Sequence, residues 1–294
     1  MIEPVILAAI HARLDRALAL PAVRYRPFVV GGHPLGRVDD TRAARLARFG
    51  PRLFRVDDHR VALADELADC ASRSAALTEV SLALRAEGAL PAWRDELYSI
   101  AAEFGAPPEF RLERGAARYF GVRTFAAHVN GVVSSGSTTR MWLARRSMSK
   151  AMDPGLLDNL VAGGIAAGLT IEETVVKEAW EEAGIHRHLA STARPAGSVD
   201  VRRQLADGLQ RETVFVHDLA LAEDFVPVNQ DGEAVEHRRV TLSEAARAIA
   251  VDAGPDEVTV DASLVVLDYL LRHRAVAPTA PGFAGLESLL RRGA

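Results

Sequence analysis

A helix whose two ends are both written into the sequence constrains this chain more than any other feature. Thr170 and Glu173 stand three residues apart at the start of an apolar-periodic run, the spacing of a capping box. Gly184 stands where a left-handed C-terminal cap belongs. Together they predict a helix over 171–183. On it, Glu178 precedes Glu181 and Glu182 by three and four residues, which puts all three carboxylates on one side. Like charges at these spacings cost roughly 0.2–0.5 kcal/mol per pair in an isolated helix. The trio therefore implies either a solvated face, the commoner case on charge pattern alone, or a bound cation. Magnesium suits the second reading, because it takes hard oxygen ligands, one or two of them carboxylates, and completes its sphere with water and phosphate. The run Leu160-Val161-Ala162-Gly163-Gly164 before the helix ends in a glycine turn that lets backbone approach a metal and a phosphate closely.

Around this segment the pattern divides the chain in two. Residues 1–108 read as a small α+β unit. Arg24–Val30 and Leu53–Val56 are short strand signals, each followed by a turn, Gly31-Gly32 and Asp57-Asp58. Ala76–Glu87 and Trp93–Phe104 carry helical spacing of apolar residues. Pro107-Pro108 marks the break. Residues 109–276 follow as short strands and helices. Phe125–Val133 and Thr139–Arg145 flank the turn Ser134-Ser135-Gly136-Ser137; Thr213–Leu219 and Val235–Val240 are further strands. Ser243–Ala250 reads as a helix, and Asp261 as the cap of a last one over Ala262–Arg274. Residues 277–294 read as a weakly anchored tail.

Composition excludes several classes. With 49% hydrophobic and 25% charged residues the 294-residue chain can build real cores. A formal net charge of -4 argues against non-specific nucleic-acid binding, while leaving room for a local basic pocket for phosphates. Cys70, the single cysteine, allows no internal disulfide and no cysteine-based zinc cluster. The start, MIEPVILAAIHARLDRALAL, is interrupted by Glu3, His11, Arg13, Asp15 and Arg16 and reads as an amphipathic helix, neither signal peptide nor membrane span. A cytoplasmic location is the default expectation.

Gly163, then Glu178 after fourteen intervening residues, then Glu181-Glu182 and Gly184-Ile185, resembles the Nudix box, G-x5-E-x7-R-E-U-x-E-E-x-G-U. The first box Glu falls on Leu169 and the Arg on Lys177, which keeps the charge but loses the guanidinium fork. The segments WRDELY, HVNG, MWLARRSMSK, PGLLDNLVAGG, DFVPVNQDGEAVEH and SLVVLDYLLRH resemble one Nudix subfamily. That subfamily carries an extra N-terminal domain, shares both departures from the box, and is related to the Nudix part of fungal thiamine pyrophosphokinase proteins. The resemblance implies a mixed sheet sandwiched between helices, an α/β Nudix fold, preceded by a smaller α+β domain. It implies metal binding by Glu178, Glu181, Glu182 and the Ala162 carbonyl, with magnesium as the ion and manganese as its substitute. It also implies a small-molecule diphosphate as substrate: thiamine diphosphate or its oxidised analogues, cut to the monophosphate. No kinase segment is present. An ADP-ribose-type substrate stays open, as do a catalytically silent binding module and a homodimer.

Outside the box, Glu233 and Glu236 are candidates for a further carboxylate acting as base, beside Glu182. Arg145, Arg146 and Lys150 end a strand aimed at the glycine loop and are candidates to meet phosphates, together with the Gly163 and Gly164 backbone. Trp142 reads as core before it reads as a stacking platform. His186 and His188 follow a helix C-terminus, where the dipole favours cations. His128 with Asn130 reads as a hydrogen-bonding pair, Trp93 and Tyr98 as packing residues, and Cys70 as a buried thiol.

Overall fold

The computed structural model describes residues 2–136 and 138–292, so Ser137 of the expected turn lies outside the described residues. The chain opens with α1 (Pro4–Ala17). A four-stranded sheet follows, built from β1 (Tyr25–Val30), β2 (His33–Asp39), β3 (Phe54–Val56) and β4 (Val61–Leu63) in the order β2-β1-β4-β3, with α2 (Asp40–Ala47) between β2 and β3. The β1–β2 hairpin turns at Gly31-Gly32, and β3 ends at the Asp57 turn, as the sequence predicts. Next come α3 (Cys70–Ala86), the antiparallel pair β5 (Leu97–Ile100) and β6 (Phe110–Glu113), and the short α4 (Ala117–Phe120). Phe28, Phe54, Phe110 and Phe120 pack with Leu77, Val80 and Leu84 of α3 into one core.

The second half holds β7 (Arg123–Ser135), β8 (Thr138–Arg146), β9 (Leu157–Asn159), β10 (Val161–Gly164), α5 (Ile171–Ala183) and α6 (Arg187–Ala190). It continues with β11 (Arg194–Leu205), β12 (Gly208–Ala220), β13 (Ala234–Thr241), α7 (Leu242–Ala248), α8 (Val260–Arg272) and α9 (Phe283–Leu290). Its sheet runs β11-β12-β7-β8-β13, with β10 added to β7 and β9 to β8. Only the β12–β7 pairing among these is parallel, so the sheet is mixed. Alternation along β7 splits its side chains between the two faces. Phe125, Ala127 and Val129 join Val175, Ala179 and Ala183 of α5 on one face; Ala126 joins the core around α8 on the other. The result is the expected sandwich, a sheet between helices.

Several expectations need correction. Trp93–Phe104 is a turn followed by β5, not a helix: Asp95 takes φ +57°, Trp93 Nε1 donates to the Asp95 carboxylate at 2.6 Å, and pairing with β6 fixes the strand. Pro107 and Pro108 lie in the β5–β6 loop, and the first core runs on to Val122. We therefore propose the boundary between the units near residue 122. Helix α1 does not belong to the first core. Its Leu7, Ile10 and Leu14 pack with α7 and α8, and buried Arg13 donates to the Ile249 carbonyl at 3.1 Å and Ser263 Oγ at 2.8 Å. The expected loose tail is anchored, because Leu286 and Leu289 of α9 are fully buried in that same core. Thr259, not Asp261, caps α8 through a bond from the Ala262 N–H. Strand β11 escaped the sequence reading, since its inward alternation Val199-Val201-Arg203 ends on a buried arginine. Cys70 is half-buried at the start of α3. Among the described residues no helix is long and apolar enough to cross a membrane.

Candidate functional site

Helix α5 has the bounds its caps predict. The Glu173 N–H donates to Thr170 Oγ1 at 3.1 Å, Glu173 Oε2 accepts from the Thr170 N–H at 2.9 Å, and Gly184 ends the helix at φ +64°. Val175, Ala179 and Ala183 face the sheet, which presses the next edge of the helix, Glu178 and Glu182, against β10. The approach is so close that a Cβ built at Gly163 would overlap the Glu178 side chain, so only glycine fits there. A Cβ at Gly164 would overlap the Tyr98 hydroxyl. The glycine strand is thus squeezed between α5 and the first unit.

Glu182 is buried, and its Oε2 accepts from the Ala162 N–H at 2.8 Å. Burial, and then the Glu178 charge, hold its carboxyl well above the usual range. Burial likewise raises Glu178, opposed by Lys177, whose Nζ lies 2.9 Å from Glu178 Oε1. The same ammonium donates to Glu181 Oε2 at 2.6 Å, so Lys177 bridges the two acids. Glu178 and Glu182 face the glycine strand, while Glu181 is tied to Glu178 through the shared Lys177 ammonium. Among the described residues no three acidic, histidine or cysteine side chains are arranged to hold a metal. The donor chemistry still fits a hard cation. Two desolvated carboxylates side by side carry a penalty that a divalent ion would reverse.

A cavity of about 140 Å³ opens beside Ala162, Gly163 and Gly164. Thr124, Ala126 and His128 of β7 form one wall, and Tyr98, Arg114 and Arg118 of the first unit form another. Arg146 reaches it too, with Nη1 donating to Asp158 at 2.7 Å. On the β12 side lie Glu212, raised by burial and by Asp261, and Asp261 itself, whose Oδ1 has no hydrogen-bond partner.

The remaining candidates fall into three groups. Lys150 sits 3.9 Å from Glu182 and pairs tightly with Glu233, which joins both to the site. Arg145 turns the other way, donating to Glu236 at 2.6 Å and reaching Asp256 at 3.4 Å. Hydrogen bonds from Arg238 and Arg145 hold Glu236 down to about 2, so it is a poor proton acceptor. Trp142 is buried in the α5-side core under the Arg239 guanidinium. His128 Nδ1 lies 2.9 Å from Asn159 Oδ1, and Asn159 in turn donates to Asn130 at 3.3 Å, a structural chain. His186 and His188 stack outside the cavity, with Trp180 against His186. Sequence reasoning missed Arg114, Arg118, Arg203 and Glu212. The i,i+4 spacing of Arg114 and Arg118 was the one local signal available, pointing both to one side of a turn.

The NUDIX domain family matches residues 124–261, and a domain of unknown function, DUF4743, matches residues 11–124. Nudix hydrolase 24, chloroplastic, of Arabidopsis thaliana is 39% identical over 224 residues, 75% of this chain and 60% of that protein. The chain thus spans about 60% of the length of the curated plant relatives it matches. The uncharacterized protein YJR142W of Saccharomyces cerevisiae is 28% identical over 311 residues, covering 95% of this chain and 89% of that one. The crystal structure of DR0079 from Deinococcus radiodurans superposes with a TM-score of 0.44 at 23% identity, over 59% of this chain and 98% of that one.

Proposed function

We propose, from the premise that the C-terminal half of this chain is a Nudix domain, that the chain is a divalent-cation-dependent hydrolase of diphosphate linkages. Its substrate is thiamine diphosphate or an oxidised analogue, cut to the monophosphate. The observation that carries this reading is the placement of Glu178 and Glu182, desolvated and adjacent, on the glycine strand at the edge of an arginine-lined cavity.

Glu178, Glu182 and the Ala162 carbonyl would hold the metal, magnesium first and manganese second, with Glu181 at the outer edge. Bound there, a divalent ion supplies Lewis-acid polarisation of phosphorus and stabilises the leaving oxygen. Gly163 and Gly164 border the cavity that would take the diphosphate, and their lack of a Cβ lets Glu178 and Tyr98 close on the strand there. Arg146, held by Asp158 and by the Met152 and Asp153 carbonyls, adds positive charge to the cavity that would take a phosphate. Lys150 adds a point charge next to Glu182. Glu233, beside Lys150, is the carboxylate placed to accept a proton from water, in preference to Glu236. Glu212 and Asp261 suit an organic group that is cationic or rich in hydrogen-bond donors, which favours a thiamine-type ring over ADP-ribose.

The test is a panel of thiamine diphosphate, its oxo and oxy forms, ADP-ribose and dinucleotides, assayed with magnesium and read by product identity. Thiamine-type diphosphates should turn over fastest, and Glu182→Gln should lose activity on the order of 10³-fold with its fold intact. Full activity in that variant would refute the assignment, and preference for ADP-ribose would refute the substrate.

A further inference from the structure

A groove of about 650 Å³ runs between the first unit and the turn of the β11–β12 hairpin, against about 140 Å³ for the cavity beside the glycine strand. That volume lies in the range of small-molecule sites. One side is formed by the start of α2, by Gly88 and Ala89 after α3, and by Tyr119 of α4; the other is formed by Gln204, Ala206 and Asp207. The hairpin is fixed there from across the groove. Arg42 Nη2 donates to the Ala206 carbonyl at 3.0 Å, and the Tyr25 hydroxyl bonds to Gln204.

Three aspartates and three arginines line this groove, but they do not cancel one another. Asp40 is held by Arg26 at 2.8 Å and Asp207 by Arg118 at 2.8 Å, two arginines from outside it. Asp39 accepts from the Arg42 N–H at 2.8 Å and pairs with the Arg42 guanidinium. Arg24 bonds to the Asp58 carbonyl, a neutral partner. Arg45 has Glu87 at 3.8 Å as its one carboxylate within 4 Å among the described residues, and Glu87 lies closer to Arg48, at 3.3 Å. Two donors are also unspent. Tyr119 is 3% exposed and its hydroxyl has no hydrogen-bond partner, nor has Arg42 Nε. The Arg42 guanidinium lies 5.4 Å from the centre of the Tyr119 ring, so the two stand together. A groove with donors left over and its carboxylates claimed from outside lacks acceptors and negative charge.

We infer that this groove is a second ligand site, distinct from the cavity beside the glycine strand, and that it takes a small molecule bearing a phosphate or carboxylate group, with Arg42, Arg45 and Tyr119 as its donors. The inference goes beyond the hydrolase reading and stands without it. An oxyanion accepts from guanidinium N–H and phenol O–H groups at once, and bonds to an ionised acceptor are the strong ones. Val23, Ala89 and Pro91 supply apolar surface for the rest of the ligand. The two sites share α4: Ala117 and Arg118 line the cavity, Tyr119 lines the groove, and Asp207 of the groove holds Arg118.

The experiment is an amide NMR titration of the full chain with inorganic phosphate and, separately, with acetate, at constant ionic strength and in the presence of a chelator. The wild type is compared with Arg45→Ala and Tyr119→Phe. In the wild type the Gly88, Ala89 and Ala206 amide signals should move together and saturate with at least one of the two ions. Arg45→Ala should weaken that binding about 10-fold or more, and Tyr119→Phe about 5-fold, with unfolding midpoints no lower than that of the wild type by more than a few degrees. Tighter binding of phosphate assigns the site to phosphate esters, and tighter binding of acetate assigns it to carboxylates. No saturable shift with either ion, or shifts confined to Gly163 and Gly164, overturns the site. So does an affinity that is the same in all three proteins.

Discussion

The two walls of the cavity are built in opposite ways. The wall made by β10 and backed by α5 is contiguous in sequence: Ala162 and Gly163, with Glu178 and Glu182 packed against them, lie within one strand, one loop and one capped helix. The facing wall, made by Tyr98, Arg114 and Arg118, comes from a strand and the turn that leads into a short helix, and the bond from Ala167 to Leu97 ties it to the loop after the glycine strand. Contiguous sites leave a spacing that can be read, because the backbone between the residues has one regular form. Assembled sites leave none, because their spacing depends on a tertiary contact.

That contrast can be tested where the walls touch. Gly164→Ala should cost about 2–3 kcal/mol, since its Cβ would overlap the Tyr98 hydroxyl. Tyr98→Phe removes the overlapping oxygen, so the double variant should be more stable than the sum of the single losses. Denaturant midpoints with unchanged slopes measure the cycle, and strict additivity would show that the walls do not meet there. Gly184→Ala should cost roughly 1–2 kcal/mol, because it forces φ +64° on a residue with a side chain and sets a Cβ 2.8 Å from the Val228 carbonyl. This loss should be independent of any change at Tyr98, because it belongs to the contiguous wall alone. Coupling between the two would blur the distinction.

The smallest effect belongs to Glu236. Its pairing with Arg145 and Arg238 should contribute under ~1 kcal/mol, as it is partly exposed. With its pKa depressed to about 2, that contribution is present above the ordinary glutamate range and lost as pH falls through about 2. Glu236→Gln should therefore be slightly less stable than wild type at neutral pH, match it at the acid limit, and keep its activity. A large loss of activity would return Glu236 to the site.

What could be read from the sequence follows the same division. The bounds of α5, the β7–β8 hairpin and the β1–β2 turn were legible, since caps, alternation and glycines act over a few residues. Trp93–Phe104 misled because apolar spacing without caps does not separate a helix from a turn and a strand. Strand β11 was hidden by Arg203, whose burial depends on Gln210 at 2.7 Å and Asp153 at 3.4 Å, partners that no alternation rule anticipates. The acidic trio was legible as a spacing but not as a geometry. Lys177 holds Glu178 and Glu181 at once, and helical phase alone does not reveal which acids a neighbouring ammonium will hold.

The packing of α1 has a consequence for how this chain comes into being. Arg13 bonds to residues 236 and 250 positions downstream, so a helix made among the first must wait through most of synthesis for its partners. Its apolar stripe stays uncovered on the ribosome until α8 emerges, a long-range closure that slows folding and exposes the nascent chain to mispairing. It also clasps the two halves together. A fragment cut to begin at β7 would leave the Leu7, Ile10 and Leu14 side of its core open to water, and should aggregate instead of behaving as an independent module.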